Sequence, residues 1–145
     1  MSIAVADLVD LLGGPTVIRA EVSSELDLAN AVEQGLPTGS VKSVVERGVL
    51  SGAEVEQYVL PRRTLAHRRK QRSPLSPEES DRLARIVRIV AVAGETFQNA
   101  QKAGTWLRRP NRALGGRIPL ELLVTSTGTR LVEDVLGRIA TGVYS

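Results

Sequence analysis

The segment Ser76-Pro77-Glu78-Glu79 constrains the fold more than any other stretch of this chain. Ser76 has the side chain of an N-cap, and a proline at the next position is pre-set for the first helical turn. Glu79, three residues after the cap, can reach back to its N–H. Early acids also suit the positive end of a helix dipole. From that start Leu83, Val87, Val90, Gly94 and Phe97 step by 4, 3, 4 and 3, while Ile86, Ile89 and Val92 widen the apolar face. The pattern predicts one long helix to about Ala103, apolar over so much of its girth that it packs on more than one side.

The rest of the chain also has helical spacing. Val5, Leu8, Val9 and Leu12 form one stripe that Gly13-Gly14-Pro15 stops, and Thr16 to Val22 alternates weakly, as an extended segment would. Helices are expected over Ser24 to Gln34, Val41 to Arg47, Ser51 to about Tyr58, Arg62 to Gln71 and Thr129 to Ala140. The last carries Leu131, Val135, Leu136 and Ile139 as its apolar stripe. Pro119 suits the first turn of a short helix, and Asn111 the cap of a helical turn at Arg112-Ala113-Leu114. The fold class is all-α, and the break before Ser76 divides the chain into residues 1–75 and 76–145.

Composition removes most enzyme classes. The 145 residues include no cysteine and a single histidine, His67, so thiol chemistry, Cys-based zinc sites and His clusters are unavailable. Glu78, Glu79 and Asp81 sit on one helix start and read as capping and dipole residues. No catalytic residue, metal ligand or cofactor is expected. No apolar run approaches the roughly 20 residues of a membrane helix, and Asp7 and Asp10 in a start without basic residues argue against a signal peptide. The absence of cysteine fits a reducing cytoplasm.

Charge is unevenly placed. Residues 1–60 carry a net −6, residues 61–75 a net +6 and the remainder +3. A short helix, the break Val59-Leu60-Pro61 and then a basic helix have the layout of a helix-turn-helix, although this turn has no glycine. With Leu65 facing the core, Arg63, Thr64, His67, Lys70 and Gln71 fall roughly opposite. Arg, Gln and Lys are residue types that read base edges and phosphates. Arg62, Arg68, Arg69 and Arg72 flank that band and are placed for phosphates. The competing reading is a solvated basic helix that offsets the acidic segment. Residues 1–60, being acidic, read as scaffold or dimer contact.

Several motifs follow in order: R-T-L at Arg63-Thr64-Leu65, L-S-P-E-E-S-D-R-L from Leu75, and A-x-x-W-L from Ala103 to Leu107. P-N-x-A-L-G-G-x-x-P-L-E-L-L from Pro110 to Leu123, T-x-x-G from Thr125 to Gly128 and a terminal R-I-x-x-G-V complete the set. In this, residues 61–145 closely resemble the Xre/ParS/MbcA-type antitoxins, and residues 1–60 do so loosely. The resemblance implies an Xre-like helix-turn-helix region packed with a helical toxin-binding region, homodimerisation, and operator double-stranded DNA as a ligand. It also implies a RES-domain toxin that degrades NAD⁺ as partner, its active site covered by the antitoxin's C-terminal end. The alternative is a free-standing helix-turn-helix regulator with no toxin.

On this reading the DNA-binding candidates are Arg62, Arg63, Thr64, His67, Arg68, Lys70 and Gln71. The toxin-binding candidates are Trp106, Arg108, Arg109, Asn111, Arg112, Val143, Tyr144 and Ser145. Trp106, the sole tryptophan, is a typical interface anchor, although it equally suits a small core. The apolar, aromatic tail Gly142-Val143-Tyr144-Ser145 follows a helix stop with no evident core to enter.

Overall fold

A computed structural model describes residues 3–142. The described residues are helical and contain no strand; their one bridge pairs Asn111 with Arg117. The chain forms two compact units, residues 4–87 and residues 88–142 together with Ile3, and the boundary runs through the helix Pro77–Phe97.

The first unit contains α1 (Val5–Leu11), α2 (Gly14–Ile18), α3 (Glu25–Gln34), α4 (Thr38–Glu46), α5 (Gly52–Tyr58), α6 (Arg62–Gln71) and the first half of α7 (Pro77–Phe97). Side-chain caps set the starts of α3, α5 and α7. Ser24 accepts from the Asp27 N–H, and Ser51 and Glu54 complete a reciprocal capping box. Two elements differ from expectation. Of the segment Thr16 to Val22 expected to be extended, Thr16 to Ile18 are helical: Pro15 opens a second turn directly after the glycine stop, and the Val17 side chain fills the space beside Gly13 and Gly39. Helix α4 starts at Thr38, three residues before the predicted Val41, with Pro37 as its N-cap. The core is aliphatic, with Leu8, Leu12, Leu36, Leu50, Leu75, Leu83 and Ile86 essentially removed from solvent.

The second unit contains the rest of α7, α8 (Ala100–Leu107), a 3-10 turn at Arg112–Leu114, α9 (Pro119–Leu122) and α10 (Ser126–Ala140). The predicted single helix to Ala103 is two helices. Gln98 takes a left-handed backbone (φ 50°) and Asn99 turns extended, its side chain accepting the Lys102 N–H at 2.9 Å. An asparagine cap outweighs the apolar periodicity that runs across it. The 3-10 turn is capped as expected, Asn111 Oδ1 accepting from Ala113 N at 2.9 Å. The chain then reverses through Gly115 and Gly116, both at positive φ, until Asn111 N–H meets the Arg117 carbonyl.

Helix α10 begins at Ser126, three residues before the predicted start, because Thr125 is the cap and accepts from Gly128 N. Its buried face is Thr129, Val132, Val135 and Leu136, whereas the predicted Leu131 is 49% exposed. Gly128 sits where a Cβ would overlap the Leu122 carbonyl, so the T-x-x-G spacing lets α10 start hard against α9. Gly128→Ala should therefore destabilise this unit by about 1–3 kcal/mol, read as a lower urea midpoint in the full chain; an unchanged midpoint would refute the close-approach account.

Candidate functional site

In the first unit α5, the break at Val59-Leu60-Pro61 and α6 have the predicted helix-turn-helix arrangement. Leu65 is the buried residue of α6; Arg63, His67, Lys70 and Gln71 are exposed and Thr64 is half-buried. Arg62 is exposed and pairs with Glu56 at 3.3 Å, a surface pair of little energetic weight. Arg68 differs from its neighbours. Its Nε and Nη2 fork onto the two carboxylate oxygens of Glu79, each at 3.3 Å, and the side chain is half-buried there. Its guanidinium is thus engaged within the protein.

That fork belongs to a larger arrangement at the start of α7. Glu79 also accepts the Ser76 N–H at 2.7 Å, while Ser76 Oγ accepts the Glu79 N–H at 3.1 Å, the predicted capping box. Next along the helix, the fully buried Ser80 Oγ accepts the Leu36 N–H at 2.8 Å, and the Leu36 carbonyl in turn accepts the Leu75 N–H at 2.9 Å. Arg82 then donates from Nε and Nη2 to the Val59 carbonyl at 3.0 and 2.8 Å. The turn needs no glycine because Val59, Leu60 and Pro61 all keep negative φ, and α7 clamps its carbonyl. Sequence reasoning missed Arg82, whose partner lies 23 positions away. Burial alone would raise the Glu79 carboxyl's pKa; the Ser76 backbone N–H and the Arg68 guanidinium outweigh it, and the net shift is downward.

In the second unit Phe97, Asn99, Lys102, Trp106, Arg109 and Asn111 border a groove of about 750 Å³. Phe97 and Trp106 form its aromatic wall, ring centroids 5.7 Å apart at 46°. Of the predicted residues it gathers Trp106, Arg109 and Asn111. The Asn111 Oδ1 is already the cap of the 3-10 turn, and Arg108 folds back to donate to the Gly104 carbonyl at 3.1 Å. Arg112 is exposed outside the groove lining. Val143, Tyr144 and Ser145 lie outside the described residues. Phe97, Asn99 and Lys102 were not anticipated, because the groove exists only where α7 breaks from α8. The one available signal was Asn99, a cap residue within an apolar run.

No cluster of three or more His, Cys, Asp or Glu suited to a metal occurs among the described residues, and no described helix is long and apolar enough to cross a membrane.

Residues 27–88 match the family model of the antitoxin Xre-like helix-turn-helix domain. Residues 92–142 match that of the antitoxin Xre/MbcA/ParS C-terminal toxin-binding domain. A protein named Antitoxin Xre from Pseudomonas putida is 37% identical over 84% of this chain and 76% of its own length. The chain belongs to the Xre antitoxin family. A second Antitoxin Xre, from Yersinia enterocolitica, is 35% identical over 81% of each chain. A protein from a Sphingobium species named Prs ADP-ribosylating antitoxin is 27% identical over 85% of this chain and 84% of its own.

The helix-turn-helix domain of this antitoxin is thus the unit that α7 clamps, and its toxin-binding domain holds the aromatic groove. Because folding lowers the Glu79 pKa, its contribution is complete above the ordinary glutamate range and is withdrawn as the pH falls through the lowered value. Glu79→Gln should cost about 1–2 kcal/mol at neutral pH, and its deficit against the unaltered protein should shrink on acidification toward pH ~3. Urea unfolding at a series of pH values checks this; a deficit that does not vary with pH would refute the charged fork.

Proposed function

We propose that this antitoxin neutralises a RES-domain toxin that degrades NAD⁺, by covering the toxin's active site, and represses its own operon as a homodimer bound to operator DNA in the bacterial cytoplasm. The presence in one chain of a helix-turn-helix domain and a toxin-binding domain carries this reading. The second of these domains speaks against the free-standing regulator. The work assigned to the chain is binding rather than catalysis. Glu79 and Asp81, two of the three acids of the α7 start, are bound to Ser76 with Arg68 and to Arg85 respectively.

Trp106 and Arg109 offer the toxin a flat aromatic anchor and a cation on one groove. Val143, Tyr144 and Ser145 enter the toxin's NAD⁺ cleft, an assignment that rests on the resemblance alone. Co-expression with the neighbouring reading frame, copurification and measurement of cellular NAD⁺ test this. A stable complex that preserves NAD⁺ is expected, with loss of protection on deletion of Val143 to Ser145 and weaker copurification for Trp106→Ala. Full protection by the truncated chain removes the tail from the mechanism, and failure of the full chain to protect removes the RES assignment.

On DNA, Arg63 and Lys70 project from the exposed face of α6 with no partner among the described residues. Arg63→Ala or Lys70→Ala should weaken operator binding and lower the salt slope by about 1 for each phosphate no longer neutralised. Unaltered affinity and slope in both variants would show that α6 is not the reading helix. A dimer further requires half-sites about one helical turn, or a multiple, apart.

A further inference from the structure

The first unit sorts its cations into two groups. Arg47 pairs with Asp10, Arg62 with Glu56, Arg68 with Glu79, Arg85 with Asp81 and Lys42 with Glu46, while Arg82 holds the Val59 carbonyl. The side chains of Arg19, Arg63, Arg69, Lys70 and Arg72 have no hydrogen bond or ion pair among the described residues. Arg63 and Lys70 lie on the face of α6 already assigned to DNA. The other three, all exposed, line one groove of about 780 Å³ whose described lining holds no carboxylate.

This groove draws on parts of the chain far apart in sequence. Arg69 comes from the last turn of α6 and Arg72 from the residue that ends it. Arg19 ends α2, within the segment whose net charge is −6. Thr38 and Gly39, the first two residues of α4, close the groove, and Pro37 gives that helix no side-chain cap. The positive end of the α4 dipole therefore adds to the three guanidiniums. Arg19 and Arg72 both sit in the left-handed region, φ 56° and 53°, where glycine is the easier residue. Three guanidiniums without internal partners, lining one groove free of carboxylates, form a site for an oxyanion. Arg69 and Arg72 make it continuous with α6, so the occupant is a phosphate of the duplex that α6 reads.

We propose that Arg19, Arg69 and Arg72 grip a backbone phosphate of bound DNA, extending the binding surface beyond the helix-turn-helix to the residue that ends α2. This rests on the DNA reading of α6. Arg19→Gly and Arg72→Gly test it in the full chain, since glycine accepts the same backbone and the thermal midpoint should stay level or rise. Binding is measured against salt on the duplex immediately upstream of its own coding sequence and on an unrelated duplex.

Each variant should weaken binding and lower the slope of log affinity against log salt, and the two substitutions together should lower it by up to about 1, the share of the one phosphate they hold. The loss should be the same factor on both duplexes, because phosphate contacts carry no sequence information. Arg47→Ala removes one positive charge elsewhere on the same unit and should leave the slope unchanged. If Arg63→Ala lowers the slope while Arg19→Gly and Arg72→Gly do not, the phosphate grip is wrong and the reading helix stands. An equal effect from Arg47→Ala reduces the result to net charge and overturns the proposal. No binding of either duplex by the unaltered chain would overturn both the grip and the DNA reading.

Discussion

The first two turns of α7 hold the DNA-binding half of the molecule in place. Within four residues, Glu79 binds the guanidinium of α6, Ser80 binds the connection between α3 and α4, and Arg82 binds the turn between α5 and α6. Each is a polar bond between segments 11 to 44 residues apart. The capping box that starts the helix also orients the first of them, since Glu79 cannot serve Ser76 without presenting its carboxylate toward Arg68. Local capping chemistry and tertiary docking are here the same side chain.

Magnitudes show why α6 needs this. A ten-residue helix is marginal on its own in water, and α6 buries a single apolar side chain, Leu65. That leucine contributes about 1.5–3 kcal/mol. A charge-assisted bond to a mostly buried partner is worth about 1.5–3 kcal/mol as well, so the fork to Glu79 is comparable with the whole apolar attachment. The arrangement also fixes rotation about the helix axis, which one leucine alone does loosely. With Leu65 and Arg68 turned inward and Arg62 paired with Glu56, Arg63, Arg69 and Lys70 are left for outside partners.

What the sequence disclosed follows the range of the interactions. The caps at Ser24, Ser51, Ser76 and Asn111 act over two or three residues, so their spacing is visible in the chain and so is the all-α class. The split of α7 from α8 is hidden because apolar periodicity continues through Asn99 and a single cap residue decides the outcome. The aromatic groove is hidden with it: Trp106 stands out as the sole tryptophan, but Phe97 and Lys102 become its companions only across that break. Arg68 reads as one more exposed basic residue because nothing local marks Glu79, eleven residues on, as its partner. Arg19 escapes notice when net charge is averaged over sixty residues, whereas electrostatic contact at physiological salt is decided within about 8–10 Å.

The residues that carry the family resemblance are largely those the scaffold uses internally. Ser76, Glu79, Ser80 and Arg82 build the α7 hub; Asn111, Gly115 and Gly116 close a turn; Thr125 and Gly128 let α10 start against α9. A motif built from caps, clamps and close approaches identifies the architecture because alternatives to these residues are few. The same residues say little about which bases or which toxin surface are recognised, since their polar groups are already satisfied within the protein. Specificity has to reside where side chains are left without internal partners, on the exposed face of α6 and around the groove at Trp106. Substitutions at those exposed positions can therefore change what is bound without loosening the fold.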